Sequence, residues 1–125
     1  MAAPSMTFAT AGNIRSSASL AASASASNNV DYSTKIEGQV TVKSTGGGTV
    51  ASTNGCRVEF LPRYGSTPTD STVPVLSYTI PTVVSTAASK TFYLGTGKYV
   101  VKVTNLDATN AITVEITGDT VDGIA

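Results

Sequence analysis

The sequence contains no histidine, no tryptophan and a single cysteine in 125 residues. Without imidazole there is no Ser-His or Cys-His nucleophile pair, and the commonest general base is missing. With only Cys56, the ordinary zinc sites cannot be assembled within one chain, and no intramolecular disulfide can form. Charge is scarce as well. Lys, Arg, Asp and Glu make up 13% of the chain, about half the usual ~25%. Eight basic and eight acidic residues cancel, and no run of like charges occurs. The basic stripe that releases counterions from phosphate is therefore absent, and nucleic acid is not expected as a partner. The opening residues "MAAPSMTFATAG" lack the basic region and long apolar run of a secretory signal. No stretch is apolar for long enough to cross a bilayer, so no membrane partner is expected. Asn-x-Ser/Thr acceptors are also missing. These absences point to a protein made and used without passing through an oxidising compartment.

Hydrophobic residues make up 41% of the chain, enough for one domain with a core. With so few charges, its surface has to be built from Ser, Thr, Asn and Gly. Such a surface leaves few ions to desolvate and is easily covered by a partner.

The stretch "SSASLAASASASNN", residues 16–29, has the composition of a flexible linker. Its period says otherwise. From Ile14 to Ser27 the even positions read Ile14, Ser16, Ala18, Leu20, Ala22, Ala24 and Ala26, while all odd positions but Ala21 are polar. That period of two is expected of a half-buried strand, although alanine is a poor strand former. A long strand and a linker remain the two readings.

The same period recurs with better strand formers. "KIEGQVTVK" turns Ile36, Gly38, Val40 and Val42 to one face. "CRVEFLP" turns Cys56, Val58 and Phe60 inward and should end at Pro62, which cannot donate to a ladder. "VLSYTI" alternates Leu76, Tyr78 and Ile80, and "KTFYLG" sets Phe92 and Leu94 against Tyr93. "KYVVKVTN" and "AITVEIT" place Tyr99, Val101, Val103, Ile112, Val114 and Ile116 inward, and "LDATN" between them predicts a hairpin over residues 98–117. Residues 44–55 and 63–74 read as turn-rich loops. About seven short strands with no helix predict an all-β, antiparallel, immunoglobulin-like sandwich; a small barrel is the alternative. The expected organisation is an N-terminal arm over residues 1–13, a sandwich over 14–117 and a tail over 118–125.

No catalytic, cofactor-binding or metal-binding set emerges. Cys56 lies on an inward face, where a free cysteine is a small buried hydrophobe. Ser89 and Lys90 are neighbours on a strand, so they point to opposite faces and cannot form a dyad. "GDTVDG" with Asp119 and Asp122, and "NLDATN" with Asn105, Asp107 and Asn110, could supply oxygen to calcium or simply make turns. "STGGGTV" lacks the Gly-Lys-Ser/Thr ending of a phosphate loop. Tyr64 and Tyr78 could stack on sugar rings, or serve a core or an interface.

The segment "FATAGNIRSSASLAASASASNN" leading into "KIEGQVTV", the later "GKYVVKVTNLDATNAITVEIT" and the short Gly/Asp tail together resemble small β-sandwich virion proteins of tailed bacteriophages. Capsid decoration (cement) proteins are of this kind. The resemblance implies a non-enzymatic structural protein that bridges major capsid subunits, partners with them or with other virion proteins, and forms a homo-oligomer. It also implies a virion location, with assembly in the host cytoplasm. A neck or tail component, or a tail-fibre module that binds carbohydrate or a receptor, is the alternative it leaves.

Overall fold

The structure is a computed structural model that describes residues 6–47, 54–63 and 73–124. Among the described residues there are six strands: β1 (Met6–Leu20), β2 (Ser25–Thr45), β3 (Cys56–Pro62), β4 (Leu76–Ile80), β5 (Ala87–Asn105) and β6 (Ile112–Ile124). Every pairing is antiparallel, in the order β1-β6-β2-β5-β3-β4, and no helix occurs among the described residues.

Strands β2 and β5, with 21 and 19 residues, are the longest, far beyond the five or six residues usual for a strand, and their length makes the architecture. Residues 25–32 of β2 pair with 97–104 of β5, whereas 37–45 pair with 87–95, and the register slips between Tyr32 and Glu37. Strand β3 joins only the far half of β5, residues 99–105, while β6 joins only the far half of β2, residues 37–45. One continuous sheet is thus folded over at the middle of β2 and β5. One layer holds the first half of β2, the second half of β5, β3 and β4. The other holds the first half of β5, the second half of β2, β6 and β1. The ring of Phe60 in the first layer meets that of Phe92 in the second, with centroids 5.0 Å apart and planes at 59°. Between the layers lie Val40, Val42, Val58, Val101, Val103, Val114 and Ile116, all fully buried.

Tyr32 holds the fold line. Its ring is buried and its hydroxyl donates to the Gln39 carbonyl at 3.1 Å. Burial, helped by the Asp119 charge, pushes its pKa up to about 12. A Cβ added at Gly38 would overlap this ring, and one at Gly118 would press on its hydroxyl. On the other side of the bend the Thr96 hydroxyl donates to the carbonyls of Lys35 and Ile36, at 2.6 and 3.0 Å.

The expected all-β antiparallel sandwich is borne out, and an immunoglobulin-like arrangement is compatible with it. Several local expectations change. Residues 16–29 are neither a linker nor one strand: β1 ends at Leu20, a turn follows at Ala22 and Ser23, and β2 begins at Ser25. Ser23 takes φ 59°, a left-handed conformation that ends the strand. The two strands expected over 90–95 and 98–105 are one strand that bends without breaking. Residues 6–13, expected as an arm, run in β1, and 118–124, expected as a tail, run in β6.

The hairpin expected over 98–117 does not form. Strand β5 lies between β2 and β3, and β6 lies between β1 and β2. The segment 106–111 instead carries the chain from one layer to the other, anchored by Asn105. That fully buried side chain donates to the carbonyls of Leu20, Ala21 and Asn110, and its Oδ1 accepts from the Asp107 amide at 3.0 Å. Backbone bonds from Ser23 to Asp107 and from Asn105 to Ala24 tie the same segment to the β1–β2 turn.

Candidate functional site

Of the groups singled out in the sequence for possible chemistry, Cys56, Lys90, Tyr78 and Asp107 are taken up by packing and turn contacts. Cys56 is fully buried in line with Val58 and Phe60, and burial pushes its thiol up to about 11, far from a reactive thiolate. Lys90 does not face Ser89; its ammonium lies 5.0 Å from the Tyr78 ring centre, in cation–π contact. Tyr78 in turn meets Phe92 edge-on at 6.1 Å. Among the described residues no group of three or more His, Cys, Asp or Glu comes together. Tyr64, residues 48–53 of the Gly-rich loop and the Asp122 side chain lie outside what the structure describes.

The Asp107 carboxylate makes a turn. Its Oδ1 accepts from the Thr109 amide at 2.8 Å, the Asn110 amide at 2.7 Å and both of those side chains. These backbone bonds draw its pKa down to about 2, against the ordinary value near ~3.9. A carboxyl held below its unfolded value contributes stability that is fully present above that value and is lost as pH falls through the folded one. The wild type should therefore lose melting temperature between about pH 4 and pH 2 more steeply than Asp107→Asn, as measured by thermal melts across that range. Parallel curves would show the carboxylate is not the group that titrates.

A different surface stands out on the outer side of the second layer. Side chains that alternate with buried Val40, Val42, Phe92, Leu94 and Ile116 must point outward. Gln39 on β2 sits opposite Tyr93 on β5 and Asp119 on β6. In the next row Thr41 is opposite Thr91 and Thr117, and Asn13 of β1 continues the row beside Thr117. Lys43 follows, opposite Ser89 and Glu115. The Thr41 and Thr91 hydroxyls are 2.8 Å apart and hydrogen-bonded. Tyr93 is 71% exposed, among the most exposed of the large apolar side chains. Rows of this kind repeat at the strand spacing of about 4.8 Å. The surface offers hydroxyls, the amides of Gln39 and Asn13, charges of both signs and one aromatic ring on a single face, a set suited to hydrogen bonding and ring contact. The sequence shows Tyr93 facing away from Phe92 and Leu94; which residues stand beside it depends on pairings that alternation does not specify.

No family model and no curated protein matches this chain. Among solved structures, a family 16 carbohydrate-binding module resembles it at 13% identity and TM-score 0.47, over 87% of this chain and 74% of that one. A Clostridium thermocellum xylanase 10B fragment with CBM22-1 and GH10 modules, in complex with xylohexaose, matches at 13% identity and TM-score 0.49. That match covers 94% of this chain and 25% of the other. The carbohydrate-binding module CBM36 with calcium and xylotriose matches at 14% identity and TM-score 0.44, over 95% and 99% of the two chains.

Proposed function

We propose that this chain is a non-catalytic carbohydrate-binding module that holds its ligand on the outer face of the β5–β2–β6–β1 layer. The observation that carries the reading is Tyr93: a ring left in water in mid-strand, with Gln39, Thr41 and Thr91 beside it. A sugar presents a C–H face and a rim of hydroxyls, and a tyrosine next to amide and hydroxyl groups is complementary to both. The low charge of the chain fits a ligand that needs no counterion.

A glycan array probed with the whole chain tests this. Retention on a subset of glycans is expected, weakened about 10-fold or more by Tyr93→Ala. The same variant should melt within about 1 °C or 2 °C of wild type, since an exposed side chain away from core features contributes little to folding. Binding to no glycan, or binding that survives Tyr93→Ala, would overturn the assignment.

A second reading, a virion structural protein of the capsid-decoration kind, is favoured by one observation. Residues 73–89 carry no charge and, apart from buried Ile80 and Thr82, are exposed or half-buried, so a long surface segment can be covered without desolvating an ion. Stoichiometric, many-copy amounts of the chain in purified particles would support it, and absence from particles would remove it.

A further inference from the structure

Strand β1 is the last strand of its layer, its ladder is with β6, and the chain leaves it through a turn that changes layers. Residues 21–24, Ala-Ala-Ser-Ala, make that turn without glycine or proline. Ser23 closes it at φ 59°, a left-handed conformation that is costly for a residue bearing a Cβ. The alternation of the sequence ignores the turn. Leu20 is buried, Ala24 and Ala26 pack on the same core, and all three are even positions. Straightened, residues 14–27 would carry that period of two without a break.

We infer that residues 21–24 are a hinge through which β1 exchanges between two copies of this chain, β1 and β2 of each copy joining into one extended strand. The occupant follows from the seat. What β6 leaves open once β1 is gone is the complement of β1 itself, from Met6↔Ile124 to Leu20↔Ile112, and a second copy carries that strand. The phase of the extended strand fits as well. With a two-fold axis lying between the layers and across the strands, the first layer of one copy is level with the second layer of the other. The even face then looks inward along the whole strand, Ala24 and Ala26 to their own core and Leu20 to that of the second copy. The bonds that hold β1 are remade between copies: its ladder with β6, the Asn105 amide to the Leu20 carbonyl, and the Asn28 amide to the Ile14 carbonyl at 3.2 Å. Those of the turn are given up, from the Ala24 amide to Ala21 at 3.1 Å and from the Ser23 amide to Asp107 at 2.9 Å. Against them stands the release of Ser23 from its left-handed backbone, and a short hinge under strain invites exchange. Closed and exchanged forms thus differ at the hinge, and chain concentration decides between them. Tyr93, Gln39, Thr41 and Thr91 stay within one copy, so glycan binding persists in both forms.

A disulfide placed across the β1–β6 ladder of the whole chain tests this. Ser19 and Thr113 are opposite each other there, at a separation a disulfide spans. Each adjoins a buried residue, Leu20 or Ile112, so Ser19→Cys with Thr113→Cys lies on the outer side. The chain is refolded under reducing conditions at low and at high concentration, then oxidised and run on a non-reducing denaturing gel. Low concentration should give internally linked single chains. High concentration should give linked pairs, well in excess of those from either single-cysteine variant. Ser23→Gly, which relieves the turn, should weaken the pair about 10-fold or more. Ser23→Pro can neither take φ 59° nor donate to Asp107, and should give pairs at both concentrations. Ser23→Val keeps the amide and should shift the same way, so a proline variant that fails to fold does not remove the test. Internally linked single chains at every concentration, with Ser23 and with Ser23→Val alike, overturn the inference. A dimer in sedimentation whose disulfide stays within each chain overturns it too, by placing the contact elsewhere.

Discussion

Val101→Asp should abolish the cooperative thermal transition. Val101 sits in the second half of β5, between β2 and β3, opposite Asn28 on one side and Phe60 on the other, and is fully sealed from water. Removing the valine forfeits about 1.5–3 kcal/mol of burial. The new carboxylate has no cation in reach on either neighbouring strand position and costs several kcal/mol more, whether it stays charged or takes up a proton. Against a total of about 5–15 kcal/mol, that leaves little or no folded protein. The control lies one residue on. Lys102 faces outward opposite Glu59, and Lys102→Thr should shift the melt by no more than a degree or two. Circular dichroism melts of both variants decide the matter. Equal melts for Val101→Asp and wild type would mean that the inward face of β5 has been assigned backwards.

Asn105→Ala should cost about 3–5 kcal/mol, more than almost any other polar substitution in the chain. Its amide serves the carbonyls of Leu20 and Ala21 at the end of β1 and of Asn110 at the start of the run into β6, at 3.2, 3.2 and 2.8 Å. Alanine leaves these acceptors and the Asp107 amide without that partner inside a closed corner, at about 1–3 kcal/mol for each that water cannot reach. The loss should be local in origin. Amide exchange at Ser23, which donates to the Asp107 carbonyl, and at Asp107, which donates to Asn105, should accelerate before that of Val58 or Val114. Uniform acceleration at all four sites would argue against a corner that opens separately.

Over most of β2, β3, β5 and β6 the buried side was legible in the sequence, whereas in β1 Ala18 and in β4 Leu76 and Tyr78 are exposed although alternation sets them with buried Leu20 and Ile80. Val40, Val42, Val58, Phe60, Val103, Ile112 and Ile116 all lie where alternation places them. Alternation, however, names a face and not a neighbour. The run 98–117 reads as a hairpin because both halves are amphipathic and the connection is short; the deciding interaction is Asn105 reaching back 85 residues to Leu20. Bends were hidden for a related reason. Ile36 continues the inward series of β2 by sequence yet is 43% exposed, because the slip between Tyr32 and Glu37 turns the strand from one layer into the other at that point. The clue available was paired: "STK" after Tyr32 and "GTGK" after Leu94 both interrupt the apolar rhythm, and they flank the fold line.

The candidate site was legible only in part. Tyr93 could be placed on an outward face from "KTFYLG", but the rows that give it neighbours come from β2 and β6, more than fifty residues before it and about twenty-five after. Asp107 with Asn110 could be read either as oxygen ligands or as a turn, and the geometry resolves this: the Oδ1 of Asp107 is taken up by four donors of its own turn.

The most direct test of the glycan-binding account is a backbone amide NMR titration of the whole chain with an oligosaccharide from any glycan it retains. Shifts concentrated at Tyr93, Thr91, Gln39, Thr41 and Thr117, with β3 and β4 unmoved, are the predicted result. Shifts centred on β4 or on the loops, with the Tyr93 face silent, would contradict it.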